Sequence, residues 1–324
     1  MSAITLEKVS EVKRIDFFRF QIDMLQMLLS PEWFHERTRN DHPAYRRWAL
    51  CQEILNKQGG AIRWPEQKNQ LLDIATMGLD TSILSIVSGG DLQSLSIGSV
   101  NFKDETVRKK IQSRLQDAEQ FDDIMVELYI GAWHQLEKHN VEYREQSGFP
   151  DFNIGITGIG MPTLVECKRA RVMTKKRMLK RIAKANDQIT HEQLTIGSAY
   201  GVVILDVTAN QIAEAPDDEL PPKLDPIIGL VRSCLKGTKN RSVGLAVITW
   251  DEYKTAGTPP NQVWFGFRRR SVRVLHKNPL VPVPQNLPVF DAWKVEYKLN
   301  FTPRGQPSAE DEMKLITEFE KHSI

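Results

Sequence analysis

Asp151, set directly after Pro150, and the triplet Glu166-Cys167-Lys168 are separated by about the length of a short hairpin. Two carboxylates and an ammonium brought together in this way can hold a divalent cation and a water beside a phosphodiester. Hydrolysis of that bond near neutral pH needs the phosphate charge neutralised, a water activated and the leaving oxygen stabilised. Asp151 and Glu166 are the candidate cation ligands. Lys168 would orient the attacking water, deprotonate it or offset charge in the transition state, and residue type leaves these three roles open. The first reading is therefore a metal-dependent phosphodiesterase.

The flanking sequence supplies elements able to position these groups. Residues 152–156 and 163–167 read as two strands joined through Gly158, Gly160 and Pro162, with a turn near Ile159 that places Asp151 opposite Glu166 or Lys168. Strand alternation then puts Glu166 and Lys168 on one face. Ahead of the hairpin, residues 104–139 predict a long helical region whose apolar side carries Phe121, Ile124, Met125, Leu128, Ala132 and Leu136, followed by a short strand at 141–144. Behind it, a basic helix over 174–189 buries Met178, Ile182, Ala185 and Ile189. Core strands follow at 201–207 and 243–250, with a helix over 227–235 between them. One or two further strands lie in 263–274, where Arg269 alternates to the face opposite Arg268 and Arg270.

Asp151, Glu166 and Lys168 in this setting resemble the motif of the PD-(D/E)XK nuclease superfamily. The family's core is a helix, a three-strand meander with the motif on its second and third strands, another helix and a further strand. The order of elements over residues 121–209 matches it. The resemblance implies a restriction-endonuclease-like mixed sheet flanked by helices and Mg2+ or Mn2+ as cofactor. It also implies an acid on the first core helix as a further ligand, for which Glu127 stands in place, and the backbone carbonyl of Cys167 as another. A glutamine or lysine on the second helix is implied as well, matched by Gln188 and Lys184. Helix periodicity aligns Asp123, Glu127, Gly131 and His134, so Gly131 gives Glu127 a small neighbour that would let backbone or metal approach.

Charge points the same way. The chain has 43 Lys and Arg against 41 Asp and Glu, yet residues 168–184 hold nine basic residues and no acid, leaving the remainder acidic. Such a focal run suits a polyanion, and Arg169, Arg171, Lys175, Lys176, Arg177, Lys180, Arg181 and Lys184 are the candidate nucleic-acid contacts. A solvated helix face is the competing reading, as a salt-bridged surface hairpin is for the acids. His134 and His139 with Asn140 do not make a His-Asn-His nuclease, because no third histidine lies nearby. No phosphate-binding loop, serine elbow or dinucleotide fingerprint occurs.

The whole reads as an α/β protein with a mainly helical N-terminal region at 1–112, a nuclease domain at 113–278, and an extended Pro-containing segment with a terminal helix at 279–324. In the first region Phe18, Ile22, Leu25 and Leu29 share a helix face, and Pro31 marks a break. A second helix covers 45–55 before Gly59-Gly60. The expected activity is that of a Mg2+-dependent deoxyribonuclease, an endonuclease acting on DNA, with a defence or restriction role by family habit. The alternative is a catalytically silent module that binds nucleic acid or a partner protein. A homodimer or a partner protein would dock through the N-terminal region. Three widely spaced cysteines (Cys51, Cys167, Cys234) and the lack of a long apolar run suit a cytoplasmic protein without a membrane span.

Overall fold

The computed structural model describes residues 4–5, 23, 26, 29–35, 41–56, 105–144, 148–156, 158–171, 174–208, 224–236, 239–256, 263–290 and 293–299. In chain order the elements are β1 (Ile4–Thr5), α1 (Pro31–His35), α2 (Pro43–Asn56), α3 (Glu105–Leu115), α4 (Phe121–Leu136), β2 (Asn140–Tyr143), β3 (Phe152–Gly155) and β4 (Thr163–Arg169). They continue with α5 (Lys175–Ile196), β5 (Tyr200–Asp206), α6 (Leu224–Cys234), β6 (Leu245–Ala256), β7 (Val263–Leu275) and β8 (Trp293–Leu299). The strands form one eight-stranded mixed sheet in the order β1-β8-β7-β6-β5-β4-β3-β2. The protein is thus α/β, with helices covering the sheet.

β2, β3 and β4 are an antiparallel meander, and Phe152 pairs with Val165, Asn153 with Leu164 and Ile154 with Thr163. Continuing that register sets Asp151 opposite Glu166, the first of the two expected pairings. β4, β5 and β6 then run parallel, through α5 and α6. Every residue of β5 is buried, as a parallel strand covered on both faces requires.

α5 begins at Thr174, whose side chain accepts the Arg177 amide at 3.3 Å. Its buried stripe is Met178, Ile182, Ala185 and Ile189, which packs with Leu164, Val203, Leu205, Ala246, Ile248 and Trp250. Those strand residues define the α5 face of the sheet, and by alternation Val165, Cys167 and Arg169 belong to the α4 face. Gly201 lets α5 and the 240–244 turn close on β5, since a Cβ there would strike the Ser242 carbonyl and the Ile189 side chain.

Several expectations change. The helical region at 104–139 is two helices, because Asp117 ends the first turn of the connection by accepting the Glu119 amide at 2.8 Å and folds α4 back on α3. Pro31 opens a helix, with Ser30 at φ 72° before it. α5 runs on to Ile196, and 263–275 is a single strand. The sheet draws on all three expected segments. β1 comes from the first and β8 from the last, the 112 boundary falls inside α3, and Leu287, Val289 and Phe290 are fully buried. Trp33 and Trp133 are core residues. The expected helix face at Phe18, Ile22 and Leu25, the Gly59-Gly60 stop, and the helix at 308–322 lie outside the described residues.

Candidate active site

The site forms where β3 parts from β4. Beyond the Phe152–Val165 pair the ladder is continued by side chains. The Cys167 amide donates to Asp151 Oδ2 at 2.6 Å, and the Asp151 amide donates to Glu166 Oε2 at 3.0 Å. The two carboxylates are thereby locked together by each other's strand, while Arg144 N–H to the Asp151 carbonyl at 2.8 Å keeps β2 attached. Lys168 Nζ donates to the other oxygen of Glu166, which is fully buried. The expected convergence of Asp151, Glu166 and Lys168 is what the structure shows.

α5 reaches the same corner. Gln188 Nε2 donates to the Phe149 carbonyl at 2.6 Å, two residues before Asp151, and its Oε1 is buried without a hydrogen-bond partner. Lys184 is exposed one turn earlier, and its charge acts on both Asp151 and Lys168. Gln188 is therefore at the site, where it holds backbone, and Lys184 lies one turn before it on the same helix.

Glu127 is placed differently from expectation. Among the described residues no three His, Cys, Asp or Glu side chains converge as a ready metal cage, and Glu127 does not join Asp151 and Glu166. Instead Arg114 of α3 forks it, Nη1 to Oε2 at 2.7 Å and Nη2 to Oε1 at 2.6 Å. Gly131 also differs in role, for a Cβ there would meet the phenol ring of Tyr143, so the small residue makes room for β2. His134 is fully buried, its ring nitrogen 2.9 Å from that of His139, and burial lowers it to a pKa of about 3. It stays neutral.

The basic run divides. Arg169 turns to the α4 face, where it pairs with Asp122 and lies 3.7 Å from Asp206, and Arg171 holds the Glu119 carbonyl at 2.7 Å and Asp123 at 3.2 Å. Both fasten the β4–α5 connection to α4, which corrects their expected role as nucleic-acid contacts in Arg169's case and gives Arg171 a structural one. Lys175, Lys176, Arg177, Lys180 and Lys184 are exposed, with Arg181 half-buried beside them.

Burial raises the Asp151 carboxyl above the ordinary aspartate range, although Lys168 and the Cys167 amide pull the other way. Burial lowers the Lys168 ammonium, opposed by Asp151. A carboxyl whose folded pKa is raised costs stability above that pKa, and the cost disappears as pH falls through it. Asp151→Asn is therefore expected to raise the melting temperature near neutral pH, with the gain fading on acidification. Thermal melts in EDTA at two pH values check this.

Arg114 shapes the site although nothing in the sequence singles it out; the one local signal is the Asp117 turn that brings α3 against α4. Arg269 supports the sheet nearby, committed at Nε and Nη2 to the Asp251 carboxylate at 2.6 and 2.7 Å, with its guanidinium 4.3 Å from the Tyr129 ring centroid. Its expected placement opposite its neighbours holds.

The donor set is hard oxygen, from two locked carboxylates with the buried, unpartnered Gln188 Oε1 at the same corner, and it suits Mg2+ or Mn2+ better than a soft metal. No protein-family model matches the chain, and no curated protein matches it. Among the described residues no helix is long and apolar enough to cross a membrane.

Proposed function

We propose that the chain is a divalent-metal-dependent nuclease with a restriction-endonuclease-like core and DNA as substrate. The observation that carries this is the reciprocal clasp of Asp151 and Glu166, with Lys168 on the second oxygen of Glu166. The meander, α5 and β5 supply the order of elements the motif needs. A bound Mg2+ would neutralise the phosphate and activate water there; Asp151 and Glu166 would hold it, with the Cys167 carbonyl beside them.

The chain's own groups account for the rest. Lys168, with its ammonium destabilised by burial, can pass a proton to or from water near neutral pH more readily than an exposed lysine. Gln188 fixes the backbone before Asp151 and so holds the carboxylate in line. Lys175, Lys176, Arg177, Lys180, Arg181 and Lys184 line the helix that leaves β4, and a polyanion lying along them would relieve their mutual repulsion. Double-strand cutting would call for two copies, since one site cuts one strand.

The second reading is a silent module that binds nucleic acid or a partner protein. It is favoured by one observation: Glu166 and Glu127 already have cationic partners, Lys168 and Arg114. Incubating the protein with circular plasmid, linear duplex, single-stranded DNA and RNA, each in Mg2+, Mn2+ or EDTA, separates the two. Cleavage that EDTA stops supports the nuclease. Salt-sensitive binding without cleavage in any metal supports the module and rejects the enzyme.

A further inference from the structure

Between Pro226 and Phe290 the chain carries ten Lys and Arg against two acids, Asp251 and Glu252, and the fold gathers five of those cations at one corner. Arg232 is on the last turn of α6 and Lys236 just past it, Lys239 and Arg241 are on the turn into β6, and Lys277 lies just beyond β7. Arg232, Lys236, Lys239 and Lys277 are exposed and Arg241 is half-buried. Among the described residues none of the five enters an ion pair. The two acids lie farther along β6, level with Arg269 and Arg268. Like charges repel, yet this corner is tied so that they stay together. Arg241 Nε donates to the Asn278 carbonyl at 2.9 Å, and the Arg241 carbonyl accepts the Leu280 amide at 2.7 Å. The buried His276 accepts the Asn278 amide at Nδ1, which leaves its Nε2 to donate to the Lys239 carbonyl at 3.2 Å. Between α6 and the end of β7 is a recess of about 210 Å³, lined by Arg232, Leu235 and Lys236 on one side and by Arg273, Leu275 and Lys277 on the other.

We propose that this α6–β7 corner is a second backbone-phosphate contact for nucleic acid, apart from the Asp151–Glu166 corner. α6 packs on the same face of the sheet as α5 and shares its apolar cluster, so the corner and the exposed cations of α5 belong to one helical layer. A single small anion would satisfy the recess alone. Only a chain of phosphates can use both positive surfaces at once, and that favours a nucleic-acid backbone. Contacts of this kind add affinity and fix orientation without reading bases. The inference rests on nucleic acid as the ligand in the reading above, but not on the metal chemistry.

Binding of the full chain to a duplex of about 30 base pairs, measured in EDTA over a series of salt concentrations, counts the phosphates engaged. The double variant Lys236→Gln/Lys277→Gln is expected to flatten the slope of log affinity against log salt by about two. Melting should not change, since both side chains are exposed. Lys109→Gln/Lys110→Gln on α3 removes the same charge from another exposed surface and should flatten the slope much less. An unchanged slope in the Lys236/Lys277 variant, an equal fall in both double variants, or a wild-type chain that binds no duplex overturns the contact. Inorganic phosphate and vesicles containing phosphatidylserine are the competing probes. If either binds in a way that needs Lys236 and Lys277 while the duplex slope stays unchanged, the corner serves a small phosphate or a lipid surface and the proposal fails. Plasmid cleavage in Mg2+ separates the two levels. Cleavage by wild type with an unchanged slope in the Lys236/Lys277 variant removes the second contact and leaves the nuclease reading standing. A flattened slope with no cleavage in any metal keeps the contact and rejects the nuclease.

Discussion

Asp151→Asn and Glu166→Gln are each expected to lower the Mg2+-dependent DNA cleavage proposed for this chain by about 10^2- to 10^3-fold, the usual loss when one preorganised charge is removed from a reacting centre. Both substitutions keep shape and one acceptor oxygen, enough for the amides of Cys167 and Asp151 to hold the clasp between β3 and β4, but in Glu166→Gln the side-chain NH2 replaces the oxygen to which Lys168 donates, so that variant also loses the Lys168 pairing. Lys168→Arg keeps the charge opposite Glu166 but moves its donors, and it should lose as much activity. Lys168→Met is the poorer probe, because it leaves the fully buried Glu166 without its ammonium. The control is binding. None of these changes touches the exposed cations of α5, so each variant should still shift DNA at low salt. Plasmid nicking at the wild-type rate by Asp151→Asn, folded and melting no lower than wild type, would end the assignment of that carboxylate.

The second large effect is structural. Arg269→Met is expected to cost about 3–5 kcal/mol, since it strips the counter-charge from a buried acid, and to lower the melting temperature by on the order of 10 °C. Asp206 is 1% exposed and lies 3.9 Å from Arg269, while Asp251 is held by its two-bonded fork. Burial already raises Asp206 above the ordinary aspartate range against the pull of Arg269, and without the guanidinium it would rise further. The sign follows from linkage. A raised folded pKa penalises the folded state above it, so the deficit of Arg269→Met is largest near neutral pH and shrinks on acidification. Paired melts of wild type and variant near pH 7.5 and pH 5 decide it. A deficit under about 1 kcal/mol at the higher pH, or one that grows on acidification, would show that Arg269 is not the keystone of this cluster.

What was legible in the sequence was what short-range pattern controls. The turn residues around Ile159 predict a hairpin register that holds at Phe152–Val165, and the 3.6-residue spacing of Met178, Ile182, Ala185 and Ile189 identifies the buried stripe of α5. The convergence of Asp151, Glu166 and Lys168 follows from those two periods. Partners distant in the chain were not legible. Glu127 on a polar helix face could equally have met an ion or a guanidinium, and only the fold-back at Asp117 decides for Arg114. Arg169 belonged to a run of positive charge by composition, yet alternation on β4 sends it to Asp122 and Asp206. Gly131 is small for the sake of Tyr143, a contact no local rule anticipates. β8 was missed although its seven residues, WKVEYKL, alternate apolar and polar side chains as a half-buried strand should.

Lys168 and Arg169 are adjacent cations with unrelated work, one beside Glu166 and the other beneath α4, and only the pleat separates them. A one-residue slip of β4 would exchange them, drawing a guanidinium into the reacting corner and forcing an ammonium among the acids under α4. Seven consecutive partners along β5, from Thr163–Tyr200 to Arg169–Asp206, oppose that slip. The placement of the two cations is in this sense inherited from strand alignment: the apolar side chains of β5 act as the indexing teeth that keep each cation in its own compartment.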